Sequence, residues 1–127
     1  MDIPISSMMT SQTRTVAVDD SVAKVEQLLN SHQLSALPVT EGQDKASVGM
    51  ISTRDLMRFH AAKRDPDVVR AWEICSYKPV QVSPDTTISE VAKLMLDKRL
   101  HHILVTKNNE VLGIVSSFDF VKKYVQD

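Results

Sequence analysis

Apolar and polar positions follow the same order twice along this chain. Val22, Val25, Leu28 and Leu29 recur at the spacing of one helix face, and Ile88, Val91, Leu94 and Met95 repeat that spacing later. Polar runs that open helices precede both, Asp19-Asp20-Ser21 and Ser83-Pro84-Asp85-Thr86-Thr87, with Asp19 and Asp85 expected as caps. Short apolar strands are expected just before them, at Thr15 to Val18 and Val80 to Val82. After each helix come two runs bounded by turn residues, which read as strands. They are Leu37-Pro38-Val39-Thr40 with Val48-Gly49-Met50-Ile51, and Ile103-Leu104-Val105-Thr106 with Val111-Leu112-Gly113-Ile114-Val115. Leu56, Phe59 and Ala62, then Phe120, Tyr124 and Val125, resume a helical stripe. Each half therefore predicts strand, helix, strand, strand, helix.

Sliding the chain along itself turns that similarity into a register. At an offset of 66, Val16 falls on Val82, Val25 on Val91, Leu34 on Leu100 and Thr40 on Thr106. Beyond the polar turn at Gln43-Asp44-Lys45 the offset is 64, and Gly49, Ser52 and Asp55 fall on Gly113, Ser116 and Asp119. A surface turn tolerates the two extra residues at small entropic cost. The repeats are drawn as 1–64 and 65–127, with Asp65-Pro66 breaking the polar link between them. Each half alone buries too little surface to be stable, so the halves are expected to pack through their sheets into one pseudo-symmetric mixed α/β (α+β) module.

Length and composition narrow the function more than the fold. At 127 residues the chain is about one average domain, too short for separate cofactor and substrate domains. A formal net charge of −1 provides no general electrostatic footprint for nucleic acid or an anionic membrane. The single Cys75 can form no intramolecular disulfide and no cysteine-based zinc cage, and His32 and His60 lack a readable third metal ligand. The segment Met1-Asp2-Ile3-Pro4 does not look like a signal peptide, and no run approaches the ~18 apolar residues of a membrane span, so a cytoplasmic location is expected. No combination of nucleophile, base and oxyanion donors can be named, so no catalytic residue and no enzyme activity are expected.

Certain short motifs recur in order. The first copy carries Ser7-Met8-Met9-Thr10, Ser35-Ala36-Leu37-Pro38-Val39 and Gly49-Met50-Ile51-Ser52-Thr53-Arg54-Asp55-Leu56. The second carries His101-His102-Ile103-Leu104-Val105 and Gly113-Ile114-Val115-Ser116-Ser117-Phe118-Asp119-Phe120. Their order and duplication resemble a tandem pair of cystathionine-beta-synthase (CBS) domains, a Bateman module. The resemblance implies a regulatory sensor that takes AMP, ADP, ATP or S-adenosylmethionine in clefts between the repeats and signals by conformational change or dimer rearrangement. It also implies that the Asp of G-x-x-S-x-x-D accepts from the ribose hydroxyls and that the Ser faces phosphate, roles within the chemistry of those groups. One site would combine Ser116 and Asp119 with Ser35, Ala36 and Leu37. The other would combine Ser52, Arg54 and Asp55 with His101, His102 and Ile103. His101-His102 stand where adenylate-sensing members often carry a basic pair, so phosphate affinity is expected to weaken as pH rises.

Plainer readings stand beside these. Ser52-x-x-Asp55 and Ser116-x-x-Asp119 also fit a capping box, although a cap does not by itself call for the glycines. His101 and His102 fit structural roles as well as phosphate contacts. Met8, Met9, Met50, Met57 and Met95 fit as core or interface filler. Trp72 is expected to pack at the start of the second repeat, and Cys75 to be buried in the place of Met9. The expected partners are an adenosine ligand, a second copy in a homodimer and an unidentified regulated protein. The alternative is a dimerisation module with vacant pockets, held together through Leu56, Phe59, Phe120 and Tyr124.

Overall fold

A computed structural model describes residues 3–9 and 14–126. Thr10, the last residue of the first motif, lies outside them. The elements in chain order are β1 (Val16–Ala17), α1 (Val22–His32), β2 (Ala36–Glu41), β3 (Ala46–Ser52), α2 (Thr53–Ala61), α3 (Ala71–Ile74), β4 (Ser76–Tyr77), β5 (Gln81–Val82), α4 (Ile88–Lys98), β6 (His102–Lys107), β7 (Glu110–Ser116) and α5 (Ser117–Gln126). This is the mixed α/β fold of two strand-helix-strand-strand-helix repeats. The short elements α3 and β4, and a turn of 3₁₀ helix at Ile5–Ser7, lie in the segments that lead into each repeat.

Strand pairing preserves the sequence register. β1 runs parallel to β2 with Val16 opposite Val39, and β5 runs parallel to β6 with Val82 opposite Val105. The antiparallel ladders β2–β3 and β6–β7 shift register at matching places, Val39/Thr40 and Val105/Thr106. The extra residues of the first copy lie in its β2–β3 turn. Its counterpart is the two-residue turn Asn108-Asn109, with φ of 53° and 66°, the left-handed pair that a type I′ hairpin requires.

The long helices begin on hydroxyl caps rather than on the expected aspartates. Ser21 Oγ accepts from the Lys24 amide at 3.2 Å, and Thr87 Oγ1 accepts from the Glu90 amide at 3.2 Å. Asp19 and Asp85 stand two residues before these caps, out of reach of the first free amides. Both helices end on a left-handed residue, Gln33 and Arg99. Val22, Val25, Ile88 and Val91 are fully buried, while Leu28 and Leu94 are half-buried and pack against the edges of their cores.

Packing divides the chain differently from sequence repetition. One compact unit is Arg14–Pro79; the other joins Met1–Thr13 to Val80–Asp127. The segment ahead of each repeat is thus built into the unit formed by the other. Ile5, fully buried, donates its amide to Thr86 O at 2.7 Å, and Ile3 O accepts from Ile88 N at 2.8 Å. In the Arg14–Pro79 unit, Ala71 N donates to Asp20 O at 2.8 Å and Val69 O accepts from Val22 N at 2.9 Å, one for one at the offset of 66. Trp72 therefore belongs to the unit of the first repeat, where it is 51% exposed. Ala71 and Cys75 on the same segment close that unit's core.

Candidate functional site

Each repeat forms a corner where the first residues of its central strand meet the start of its last helix. In the Arg14–Pro79 unit, Ala36 pairs with Ser52 across β2–β3, and Thr53 N donates to Ser35 O at 3.0 Å. In the other unit, His102 pairs with Ser116 across β6–β7, and Ser117 N donates to His101 O at 2.9 Å. The structure thus groups Ser35 and Ala36 with Ser52 and Asp55, and His101 and His102 with Ser116 and Asp119. Leu37 and Ile103 are fully buried beneath these corners, whereas Ser35, Arg54 and His101 are exposed.

Both aspartates act as helix caps. Asp55 Oδ2 accepts from Ser52 N at 2.8 Å and from Ser52 Oγ at 3.2 Å. Asp119 Oδ2 accepts from Ser116 N at 2.8 Å and from Ser116 Oγ at 3.1 Å, and Ser116 Oγ accepts from Asp119 N at 3.3 Å. The cap therefore occupies one carboxylate oxygen of each aspartate. Asp119 Oδ1 also faces Lys122 Nζ at 3.6 Å, a contact that Asp-x-x-Lys spacing on a helix could have revealed.

Two expectations change here. Gly49 has a packing reason of its own: a Cβ would lie 2.6 Å from Ser76 O and 3.0 Å from Cys75 Sγ, because β4 runs alongside with Tyr77 opposite Gly49. It therefore no longer favours a ligand over a cap. Leu56, Phe59 and Phe120 face their own cores, Phe59 being only 3% exposed, which leaves Tyr124 alone of the four proposed dimer contacts on the surface. Ala62 and Val125 are exposed as well, and so is Met57, the one methionine of the filler set on the surface.

Electrostatics separate the corners. Burial pushes the His102 imidazole below its ordinary value; the adjacent His101 adds to the shift and Asp119 opposes it. The folded state therefore favours the neutral His102 imidazole. Burial pushes the Cys75 thiol up, against a hydrogen bond from Tyr77, so this cysteine is packing rather than a nucleophile. A groove of about 480 Å³ between α1 and α2 combines Leu29, Leu34, Leu56 and Met57 with Glu26 and His60, whose Oε1 and Nε2 are 2.7 Å apart. Sequence reasoning passed over this feature because 34 residues separate the pair. Among the described residues, no three metal-ligating side chains converge and no helix is long and apolar enough to cross a membrane.

The CBS domain family matches residues 5–62 and 71–126. The chain belongs to the CBS domain family, as a tandem pair. It is 30% identical over 115 residues to the uncharacterized protein YlbB of Bacillus subtilis, covering 91% of this chain and 78% of that one. An uncharacterized conserved protein from Pyrococcus horikoshii superposes with a TM-score of 0.85 at 23% identity, covering 98% of this CBS pair and 93% of its own chain. CBSX2, solved in complex with AMP, superposes with a TM-score of 0.82 at 20% identity, covering 98% and 97%. At these identities the two structures establish the shared fold.

Proposed function

We propose that this CBS pair is a self-associating regulatory sensor of an adenosine-containing ligand, AMP, ADP, ATP or S-adenosylmethionine, held in clefts between the repeats. The observation that carries the reading is the cap geometry: Oδ2 of Asp55 and of Asp119 is committed to the helix start, which leaves Oδ1 for ribose hydroxyls, shared at Asp119 with the Lys122 ammonium. The AMP complex of the similarly folded CBSX2 supports the ligand class. The N-termini of α2 and α5 supply the positive dipole end that suits phosphate, while the first amides, of Thr53 and Ser117, are themselves bonded to Ser35 O and His101 O. In the proposed sites Asp119 and Ser116 act with Ser35, Ala36 and Leu37, and Asp55, Ser52 and Arg54 act with His101, His102 and Ile103. Binding favours one packing of the module over another, and a regulated partner reads that shift.

Asparagine substitution separates the cap from the site. In Asp55→Asn and Asp119→Asn the amide oxygen can keep the cap, while the NH₂ turned to the ligand donates instead of accepting. A ligand at 100 times its dissociation constant should stabilise wild type by about 2.7 kcal/mol. Melting curves with AMP, ADP, ATP and S-adenosylmethionine should show that increment and lose it in the double variant. An increment that survives the double variant would place the ligand elsewhere. No increment in wild type would favour a dimerisation module with vacant pockets.

A further inference from the structure

The two corners differ at the aspartate itself. In each, Oδ2 takes the cap bonds, from Ser52 N and Oγ at 2.8 and 3.2 Å in one and from Ser116 N and Oγ at 2.8 and 3.1 Å in the other. A vicinal diol that donates both hydroxyls to such a carboxylate therefore needs the lone pairs of Oδ1. At Asp119 that oxygen faces Lys122 Nζ at 3.6 Å, and the same ammonium stands 5.4 Å from the centre of the Phe118 ring. The ring face attracts the cation, so Phe118 and Asp119 hold it together. At the matching positions of the first repeat, offset by 64, Arg58 replaces Lys122 and Arg54 replaces Phe118. Two cations four residues apart on one helix repel, and among the described residues no ion pair joins Arg58 to Asp55.

We infer that Lys122 is a specificity-determining residue of the Asp119 site, where its ammonium competes with ribose hydroxyls for Oδ1 and lowers the site's preference for a ligand that carries the diol. The ammonium has donors and no acceptor, so it can occupy the oxygen but offers a hydroxyl nothing in exchange. A diol entering this site must displace the cation or share its acceptor. The Lys122 side chain is 54% exposed, so the pair is worth little beside a buried one, and the competition shifts affinity by a few-fold without closing the site. Salt that screens the pair relieves it. No such cation stands on Asp55, whose Oδ1 is left to the ligand. This difference rests on the reading of Asp55 and Asp119 as ribose acceptors, and adds to it what sets the two apart.

Titration calorimetry on Asp55→Asn, in which only the Asp119 site keeps its carboxylate, tests this with two probes, AMP and a dideoxy-AMP that lacks both ribose hydroxyls. Circular dichroism confirms that each variant is folded. Adding Lys122→Met should raise the preference for AMP over dideoxy-AMP about threefold to fivefold at low salt, the scale of one exposed ion pair. Both probes carry the same phosphate, so their ratio cancels the change in net charge. The rise should fade at about 1 M salt, where the screening length is about 3 Å. Arg58→Met in Asp119→Asn should leave the preference of the Asp55 site unchanged. A preference that stays level or falls in Lys122→Met overturns the inference while leaving the ribose reading intact. An equal rise from Arg58→Met does the same, because the effect would not depend on the Oδ1 contact, and so does an Asp55→Asn protein silent to AMP with and without Lys122. A wild type that prefers neither nucleotide overturns the ribose reading as well.

Discussion

In the Arg14–Pro79 unit the candidate corner opens on Ser35-Ala36, and in the other unit on His101-His102, although the strands that follow share one register and one irregularity. The last helix begins Thr53-Arg54-Asp55 in one and Ser117-Phe118-Asp119 in the other, with Lys122 5.4 Å from the Phe118 ring centre. The shared backbone holds a capped aspartate in both corners, while the variable positions place a guanidinium beside one and two imidazoles beside the other. Positions that point into a core or close a cap are held alike by packing and hydrogen bonding. Positions at the rim are released from that constraint, and there the repeats have diverged.

The comparison can be broken most forcefully at the exchanged lead-in segments. Ile5→Ala should cost about 2–5 kcal/mol, the range for truncating a fully buried aliphatic side chain, although Ile5 is far in sequence from the helix it covers. Urea unfolding measures this, and a loss under about 0.5 kcal/mol, the scale of ordinary surface changes, would mean the segment is not built into that unit. A smaller effect is expected from Gly49→Ala, about 1–3 kcal/mol, because the added methyl meets the Ser76 carbonyl. An unchanged unfolding midpoint would show that β4 does not lie against β3.

The smallest expected effect sharpens the electrostatic difference. His102 titrates below its ordinary value when folded, so the folded state prefers it neutral. Its stabilising contribution is complete above the unfolded value of about 6.5 and is lost as pH falls through the lower folded value. His102→Gln should flatten the decline in stability between pH 7 and pH 5. Parallel declines in wild type and variant, followed by urea midpoints, would assign the acid sensitivity to other groups. The first repeat has Ala36 at this position and contributes no such step.

The order of elements, the register of the repeats and the site of the two-residue insertion were all legible in the chain, because periodicity and turn chemistry are local properties written twice. The Ser and Asp of each corner were legible for the same reason, their capping bonds spanning three residues. Cap identity was misplaced by two residues, since a run such as Asp19-Asp20-Ser21 offers several oxygens and only the helix geometry selects one. Tertiary structure alone decided that the segments before each repeat are exchanged between units, that Gly49 makes room for a neighbouring strand, and that Glu26 finds His60. It also turned Leu56, Phe59 and Phe120 inward and left Val121, Tyr124 and Val125 outside. A stripe in sequence shows that a helix has an apolar side. Which of two adjacent apolar positions is covered depends on chain that arrives from far away, and that contact has no local signature.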